Sequence, residues 1–363
     1  MGEPMRDGQV EMQTTFLLYG ATGYTGELIA RAALLRGLRP ILAGRNATAL
    51  QKLAEELGLT YRAFDLEKPA TIDEGLAGVS VVLNCAGPFS FTARKLAEAC
   101  LRVGAHYLDI AGEVPEFQLL HTYDSAAQAA NVMLLPGVGF GIVPTDALAL
   151  HLKTRLPTAT QLSLAFHALG GVSRGTLLST LKDLPNAGVV RQDGKLVPRH
   201  AGAERRRIDF GQGPLLTVTN PWRGDIFTAY YSTGIPGIKT YTVYPIALRI
   251  MMALSTPLKG VFRSAALQNF LKRQAQRQPP GPSAQERSQG KTVVWGEATD
   301  ASGQRVVSHL VGPEAYDFTV LTALTIVERV LAGEVQPGFH TPSQVFGADL
   351  VLSIPGVKRT DQA

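Results

Sequence analysis

Three glycines spaced three positions apart carry the most chemical information in this chain. They lie in the segment Gly20-Ala21-Thr22-Gly23-Tyr24-Thr25-Gly26, between the apolar run Thr15–Tyr19 and the helical pattern Glu27–Leu35. Glycines let a backbone approach a pyrophosphate closely, and the N–H groups and dipole of a helix N-terminus attract its charge. A strand before the turn and a helix after it make such a motif informative. The segment therefore predicts a dinucleotide site.

The residues after the second predicted strand indicate which dinucleotide binds. Pro40–Ala43 is followed by Gly44, Arg45 and Asn46, where NAD sites usually carry an acid for the ribose 2′-OH. The guanidinium of Arg45 matches phosphate geometry instead. We therefore predict NADP, with Arg45 and Asn46 at the 2′-phosphate and Asp65 near the adenine. The alternative, a solvated arginine before the next helix, stays open.

Two later loops follow strands of the same predicted sheet. The first, Ala86-Gly87-Pro88, comes where the ribose and nicotinamide of a bound cofactor would pass. The second ends a strand with Asp109 and continues to Glu113. Either carboxylate is a candidate catalytic group that positions a substrate or moves a proton. Glu113 has an alternative role at the start of the following helix.

A further glycine segment and the absence of a Tyr-Lys catalytic dyad both bear on the chemistry. Gly170–Thr176 precedes a helical pattern, with Ser173 as an expected N-cap and Arg174 either gripping a carboxylate or facing water. The chain contains no Tyr-x-x-x-Lys sequence. It therefore lacks the catalytic dyad of the short-chain dehydrogenases, which use similar glycine turns.

Composition narrows the class of protein. The 363 residues are 45% hydrophobic and 18% charged, as expected for a soluble globular protein with more than one domain.

Two cysteines imply no disulfide framework, so a reducing, cytoplasmic location is expected. Seven histidines show no metal-ligand spacing, so no metal is predicted. The net charge is +5, but the basic stretches do not interleave aromatics, so the expected partner is a small-molecule substrate and not a nucleic acid.

The order of strand and helix patterns predicts an α/β fold. Alternation over the first 145 residues indicates a doubly wound parallel sheet with helices on both faces, including one helix at Glu116–Ala130. From Thr145 the pattern indicates a second, α+β domain with a mostly antiparallel sheet, in which Lys272–Lys291 is expected to be a loop. The predicted parts are a disordered lead at 1–14, a nucleotide-binding domain at 15–145, the α+β domain at 146–335 and a C-terminal segment at 336–363 that packs on the first domain.

The most apolar stretch of the chain is Tyr244–Phe262. It is broken by Pro245, Arg249 and Pro257 and is therefore too interrupted to span a membrane. Two roles remain open for its Ile246–Leu254 portion, a buried helix or an interfacial membrane contact. The second role makes 244–262 a candidate site of peripheral membrane association.

Several motifs together resemble the saccharopine dehydrogenase-like oxidoreductases. The N-terminal ones are Gly20–Gly26, Ala43–Asn46, Asn84–Phe89 and His106–Glu113. Gly171–Thr176 with Ser179 resembles a Ser-Gly-Gly-Thr segment of that family, with Arg174 in place of a glycine. The later ones, similar to the branch containing trans-acting enoyl reductases, are Gly281–Ser283 with Arg287 and Gly290, then Tyr316, Thr319 and Thr341-Pro342. The resemblance covers nearly the whole chain.

The resemblance implies a Rossmann-type NADP-binding domain followed by a substrate and dimerisation domain, and hence a candidate homodimer. It implies hydride transfer from NADPH to an enoyl, imine or carbonyl group. The apolar second half favours a hydrophobic substrate. A second hypothesis is a non-catalytic NADP-binding sensor or a membrane-associated scaffold, because the catalytic signatures are weak.

Overall fold

The first half of the chain forms a parallel sheet with helices on both faces. A computed structural model describes residues 15–184, 186–255 and 257–362. The predicted lead at 1–14 lies outside these residues. The elements of this half are β1 (Leu17–Tyr19), α1 (Tyr24–Leu35), β2 (Ile41–Gly44), α2 (Ala47–Leu57), β3 (Tyr61–Ala63), α3 (Pro69–Leu76), β4 (Val81–Asn84), α4 (Phe89–Val103), β5 (His106–Asp109), α5 (Val114–His121), α6 (Asp124–Ala129), β6 (Met133–Leu135) and α7 (Val143–Arg155).

The second half begins at a long strand. Its elements are β7 (Ala159–Leu169), α8 (Arg174–Asp183), β8 (Gly188–Gln192), β9 (Lys195–Arg199), β10 (Arg205–Asp209), β11 (Pro214–Thr219), α9 (Asp225–Thr233), β12 (Gly237–Thr242), α10 (Ile246–Ser255), α11 (Lys259–Arg263), α12 (Ala265–Gln276), α13 (Ala284–Gln289), β13 (Lys291–Asp300), β14 (Arg305–Pro313), α14 (Ala315–Leu331), β15 (Gly338–Phe339), α15 (Pro342–Phe346) and β16 (Lys358–Gln362).

The first sheet has the strand order β15-β6-β5-β4-β1-β2-β3, and all of its pairings are parallel. Alternate side chains of a strand enter opposite faces of a sheet. Leu18 accordingly joins a core that includes Val327 of α14, whereas Leu17 joins a core that includes Leu96 of α4. Both faces are therefore covered, and the predicted doubly wound parallel sheet is confirmed.

The second sheet is mixed and mostly antiparallel, as predicted. Its main path is β10-β11-β12-β7-β13-β14-β16, and β8 pairs with β12 and with β9. Among these pairings only β12 with β7 is parallel. Helix α7 covers this sheet, because Leu148 and Leu152 share a core with Leu164 and Val294.

The last part of the chain contributes to both sheets. Strand β15 extends the first sheet beside β6, but β16 pairs with β14 at the edge of the second sheet. The segment 336–363 therefore supplies one strand to each sheet. Helix α14, inside the range predicted for the second domain, also lies on the first sheet. Such pairing between elements that are far apart in the chain cannot be predicted from local sequence patterns.

Two local predictions are wrong. The predicted helix Glu116–Ala130 is two helices, α5 and α6, which are separated at Thr122 and Tyr123. The predicted loop at Lys272–Lys291 instead contains the end of α12 and all of α13. Ser264 and Ser283 cap these helices, and Glu286 completes a capping box with Ser283. Capping thus outweighs weak apolar periodicity there.

None of the helices in the described residues is both long enough and apolar enough to cross a bilayer.

Candidate functional site

The glycine turn brings a strand, a helix and a neighbouring loop into very close contact. Gly20 has a φ of 87°, and a Cβ on it would lie 2.8 Å from the backbone nitrogen of Ala86. A Cβ on Gly26 would overlap the carbonyl oxygen of Gly20. Any side chain at these two positions would push α1 or the loop after β4 away, so the turn requires glycine there.

The N-terminus of α1 opens at this turn. Gly23 is the N-cap residue, and Thr22 and Gly23 are exposed, while Tyr24 and Thr25 are half-buried and Ala21 is buried. The first N–H groups of a helix have no acceptor within it, and its dipole places positive charge there. These features fit a bound pyrophosphate.

Arg45 and Asp65 both lie close enough to Tyr19 to act on it electrostatically. Burial raises the pKa of Tyr19 to about 12, with the charge of Arg45 opposing that rise and the charge of Asp65 adding to it. Both charged side chains are exposed. Asn46 caps α2, accepting a hydrogen bond from the Ala49 N–H at 3.1 Å. Arg45 is therefore the accessible cation at the end of β2, where a 2′-phosphate would bind.

The loop after β4 is held in shape by one buried amide. The side-chain oxygen of Asn84 accepts from the backbone N–H of Ala86 at 3.0 Å, and its nitrogen donates to the Thr92 hydroxyl at 3.1 Å. Gly87 and Pro88, the next residues, are exposed. The predicted cofactor-lining segment Ala86–Pro88 is thus fixed at its start and accessible beyond it.

Asp109 lies inside the protein, with no exposed surface. One carboxylate oxygen accepts from the Tyr107 hydroxyl at 2.8 Å, and the other accepts from the N–H groups of Ala111 and Gly137, each at 2.9 Å. Burial raises the pKa of Asp109 to about 6, although these hydrogen bonds oppose the rise. The contacts join the loops after β5 and β6. They favour a positioning role, and the catalytic role of Asp109 stays a prediction.

Glu113 is half-buried where the first domain meets the second sheet. One of its carboxylate oxygens accepts from the N–H of Gly112 at 2.9 Å. Its backbone forms an isolated antiparallel bridge with Arg223. The Gly224 N–H donates to the Gly112 carbonyl oxygen at 2.6 Å. Glu113 is therefore next to a segment from the second half of the chain, as a substrate-site residue between the domains should be.

Arg223 lies at the same boundary and is held by several contacts. Its guanidinium donates to the carboxylate of Asp225 at 2.6 Å and to the carbonyl oxygen of Gly141 at 2.6 Å. It also lies 4.4 Å above the ring of Phe166, which meets Phe140 edge-on at 5.7 Å. An arginine over a paired aromatic wall combines a fixed positive charge with an apolar surface.

A segment from the second half covers the glycine turn. A Cβ on Gly281 would lie 2.5 Å from the ring of Tyr24, and the Tyr24 hydroxyl donates to the carbonyl oxygen of Pro282 at 2.5 Å. Arg287 donates to that hydroxyl at 3.1 Å and to Asp317 at 2.8 Å. The glycine turn thus has a wall supplied by a distant part of the sequence.

The predicted segment around Ser173 joins this wall. Ser173 is the N-cap of α8, as expected, and accepts from the Thr176 N–H at 3.2 Å. Its own N–H donates to the Tyr316 hydroxyl at 2.6 Å, and the Tyr316 ring meets the Tyr24 ring edge-on at 5.1 Å. Arg174 donates to the carbonyl oxygen of Gln278 at 2.7 Å. Arg174 therefore contacts the backbone near Gln278, and its contact with a substrate carboxylate stays a prediction.

The loop between β6 and α7 also borders the site, although it was not among the predicted site segments. Its glycines, Gly137, Gly139 and Gly141, follow a buried strand and were a readable signal. Arg223 and Asp225 gave no such signal, because their neighbours in the site come from other elements.

Comparisons with known proteins agree with this geometry. The family described as the saccharopine dehydrogenase NADP binding domain matches residues 16–135. The human saccharopine dehydrogenase-like oxidoreductase is 26% identical over 175 residues, or 42% of this chain and 41% of that protein. A putative trans-acting enoyl reductase of Mycobacterium tuberculosis is 31% identical over 186 residues, or 47% of this chain and 44% of that protein. The matched region spans less than half the length of these relatives.

A solved structure shows the same fold over a longer range. Apo saccharopine dehydrogenase (L-Glu forming) from Saccharomyces cerevisiae aligns with a TM-score of 0.61 at 15% identity, covering 96% of this chain and 100% of that one. At this identity the match concerns the fold alone. The domain match at 16–135 confirms the NADP cofactor predicted from the motifs. It also agrees with the predicted resemblance, because the chain is similar to saccharopine dehydrogenase-like oxidoreductases and to trans-acting enoyl reductases over the matched regions.

Proposed function

We propose that this protein is an NADPH-dependent reductase that acts on an enoyl, imine or carbonyl group of a hydrophobic substrate. The observation that carries the proposal is the junction between the loop after β5 and the segment Trp222–Gly224. At this junction Glu113, in the loop that follows β5, is next to Arg223, and Arg223 lies over the ring of Phe166. Ligands of doubly wound parallel sheets bind beyond the carboxyl ends of the strands.

The glycine turn and Arg45 are assigned to the cofactor. The N-terminus of α1 holds the pyrophosphate and Arg45 holds the 2′-phosphate, while the backbone of Ala86–Pro88 borders the ribose. When bound, the cofactor supplies the hydride, so the protein has to orient the reactants, exclude water and provide at most one proton. This division explains why the chain needs no strong acid–base motif.

Arg223 and the aromatic pair are assigned to the substrate. Because the guanidinium is already held by Asp225 and Gly141, little conformational freedom is lost when it orients an electronegative oxygen. Phe166, which is half-buried, offers apolar surface next to it, and the buried ring of Phe140 packs behind Phe166. The combination fits an apolar molecule that carries one polar carbonyl, such as a thioester, better than a substrate with several carboxylates.

We assign Glu113 as the proton donor to the substrate, and Asp109 as the residue that positions the loop after β5. Asp109 is enclosed and uses both carboxylate oxygens to hold the loops after β5 and β6. Glu113 is half-buried, and among the described residues the hydrogen bond of its carboxylate comes from the N–H of Gly112, in the same loop. A proton donor must reach the substrate, which favours Glu113.

The names of the relatives support the enoyl substrate among the three classes. One relative is named a trans-acting enoyl reductase, and that name describes that protein. We carry it to this chain as a proposal only, because the match to that relative covers 39% of the chain.

A cofactor and substrate assay tests the function. The purified protein is titrated with NADPH and NADH, and NADPH oxidation is then followed with a panel of long-chain enoyl, imine and carbonyl compounds. We expect tighter NADPH binding and turnover of at least one apolar enoyl thioester. NADPH binding without oxidation of any compound would instead favour the non-catalytic sensor.

A further inference from the structure

Helix α10 exposes a stripe of large apolar side chains. Ile246 is 68% exposed, Ile250 54% and Leu254 45%, and residues four apart lie on one face of a helix. Leu258 and Val261, which follow along the chain, are 45% and 55% exposed. We name this surface, formed by Ile246, Ile250, Leu254, Leu258 and Val261, the apolar face.

The opposite side of α10 packs against the protein core, as one face of a surface helix normally does. Met252 is buried in a small core with Val218, Phe262 and Leu184, and Leu248 packs against it. A surface helix normally shows polar residues on its outer side. Helix α10 is apolar on both sides, so its outer stripe is not explained by the fold.

The charge of the surrounding chain indicates what covers the apolar face. From Tyr244 to Ser283 the sequence contains six basic residues and not one Asp or Glu. The basic residues are Arg249, Lys259, Arg263, Lys272, Arg273 and Arg277. Apolar side chains combined with a positive and acid-free surround fit an anionic partner surface.

A cavity at the edge of the apolar face adds a second, independent observation. It has a volume of about 220 Å³ and lies between α10 and the strands β10 and β11. Ile246, Ile250 and Val218 line it together with Arg205 and Arg249. The buried Nε of Arg249 has no hydrogen-bond partner within the described residues. Two arginine side chains that line a cavity with an apolar floor fit a phosphate group attached to an acyl chain.

We propose that the apolar face docks this protein on an anionic phospholipid bilayer, with a lipid phosphate held at Arg205 and Arg249. Ile246, Ile250 and Leu254 then enter the boundary between headgroups and acyl chains. A second copy of the chain is a poorer occupant, because two acid-free basic surfaces would repel each other. The proposal is independent of the reductase activity.

Vesicle co-sedimentation of the full chain tests this. We expect binding to phosphatidylcholine vesicles with about a third phosphatidylserine, weak binding to phosphatidylcholine alone, and release at high salt because surface charges are screened. The double variant Ile246→Gln/Ile250→Gln should bind anionic vesicles at least roughly tenfold more weakly. Leu35→Gln is the matched control, because Leu35 is 90% exposed on α1, away from the apolar face, and should bind normally.

A second pair of variants addresses the phosphate site. Arg205→Gln/Arg249→Gln should weaken binding to anionic vesicles and leave the weak binding to neutral vesicles unchanged. Lys52→Gln/Lys68→Gln removes two exposed cations elsewhere and should have little effect.

The proposal is overturned if the two isoleucine substitutions leave binding intact, or if no vesicle binds. It is also overturned if those substitutions abolish a concentration-dependent dimer seen by light scattering, since a second copy would then be the occupant.

Discussion

The hydroxyl of Tyr24 accepts a hydrogen bond from Arg287 at 3.1 Å, although the two residues are 263 positions apart in the sequence. Tyr24 is the first residue of α1, in the middle of the glycine turn. Arg287 belongs to α13 and also pairs with Asp317 at the start of α14. The glycine turn is therefore held by a residue from the second half of the chain.

Substituting Gly281 tests how close this contact must be. A methyl group in Gly281→Ala would lie 2.5 Å from the Tyr24 ring, so the segment must move away from the turn. We expect the free energy of unfolding to fall by roughly 1–3 kcal/mol, the usual cost of overpacking, and NADPH to bind more weakly. Urea unfolding and NADPH titration measure the two effects. Gly260→Ala is the matched control, since nothing lies within 4 Å of its added carbon. Equal behaviour of the two variants would show that the contact is unimportant.

Arg45→Ala separates the two nicotinamide cofactors. Loss of a charged hydrogen bond to the 2′-phosphate should weaken NADPH binding by about 1–3 kcal/mol. NADH has no 2′-phosphate, so its affinity should stay nearly constant. Isothermal titration of both cofactors gives the comparison, with the exposed Lys52→Ala as a control for general loss of charge. An equal loss for NADPH and NADH would remove Arg45 from the phosphate site.

Asp109 predicts a particular pH dependence of stability. Its pKa is raised from 3.8 to about 6 by burial, so the folded protein holds a proton that the unfolded chain has released over this interval. The stability from this group is fully present below about pH 4 and is lost as the pH rises through about 6. Asp109→Asn cannot titrate, and its free energy of unfolding should lack this fall. The difference between wild type and variant cancels the opposite contribution of His106, whose pKa is lowered by burial. Parallel pH profiles would contradict the buried, protonatable carboxyl.

Glu113→Gln tests the proposed proton donor. A missing general acid typically reduces turnover on the order of 10²-fold or more, and NADPH affinity should not change. Steady-state kinetics with an active substrate, together with cofactor titration, separate the two effects. Glu74→Gln, on the exposed side of α3, is the control. Full activity in Glu113→Gln, with normal pH dependence, would show that the proton comes from elsewhere.

Much of the first domain could be predicted because its signals are local. The strand before Gly20, the glycine turn and helix Ala47–Leu57 each depend on residues within one or two turns of each other. Strand ends in a parallel sheet lie at one edge, and Asn84 and Asp109, which end β4 and β5, are register partners there. The helices at 265–276 and 284–289 were missed because their apolar spacing is weak, although Ser264 and Ser283 carried cap signals.

What the sequence by itself determined is the cofactor turn, since a backbone that bends at Gly20 and begins a helix at Tyr24 needs only nearby residues to do so. Tertiary structure alone decided that Asp109 is enclosed, that Arg223 meets the loop of Glu113, and that Arg287 reaches Tyr24. Burial and contact depend on which distant elements pack together. That packing is set by the apolar faces of whole sheets and helices, and it cannot be predicted from the spacing of residues along one segment.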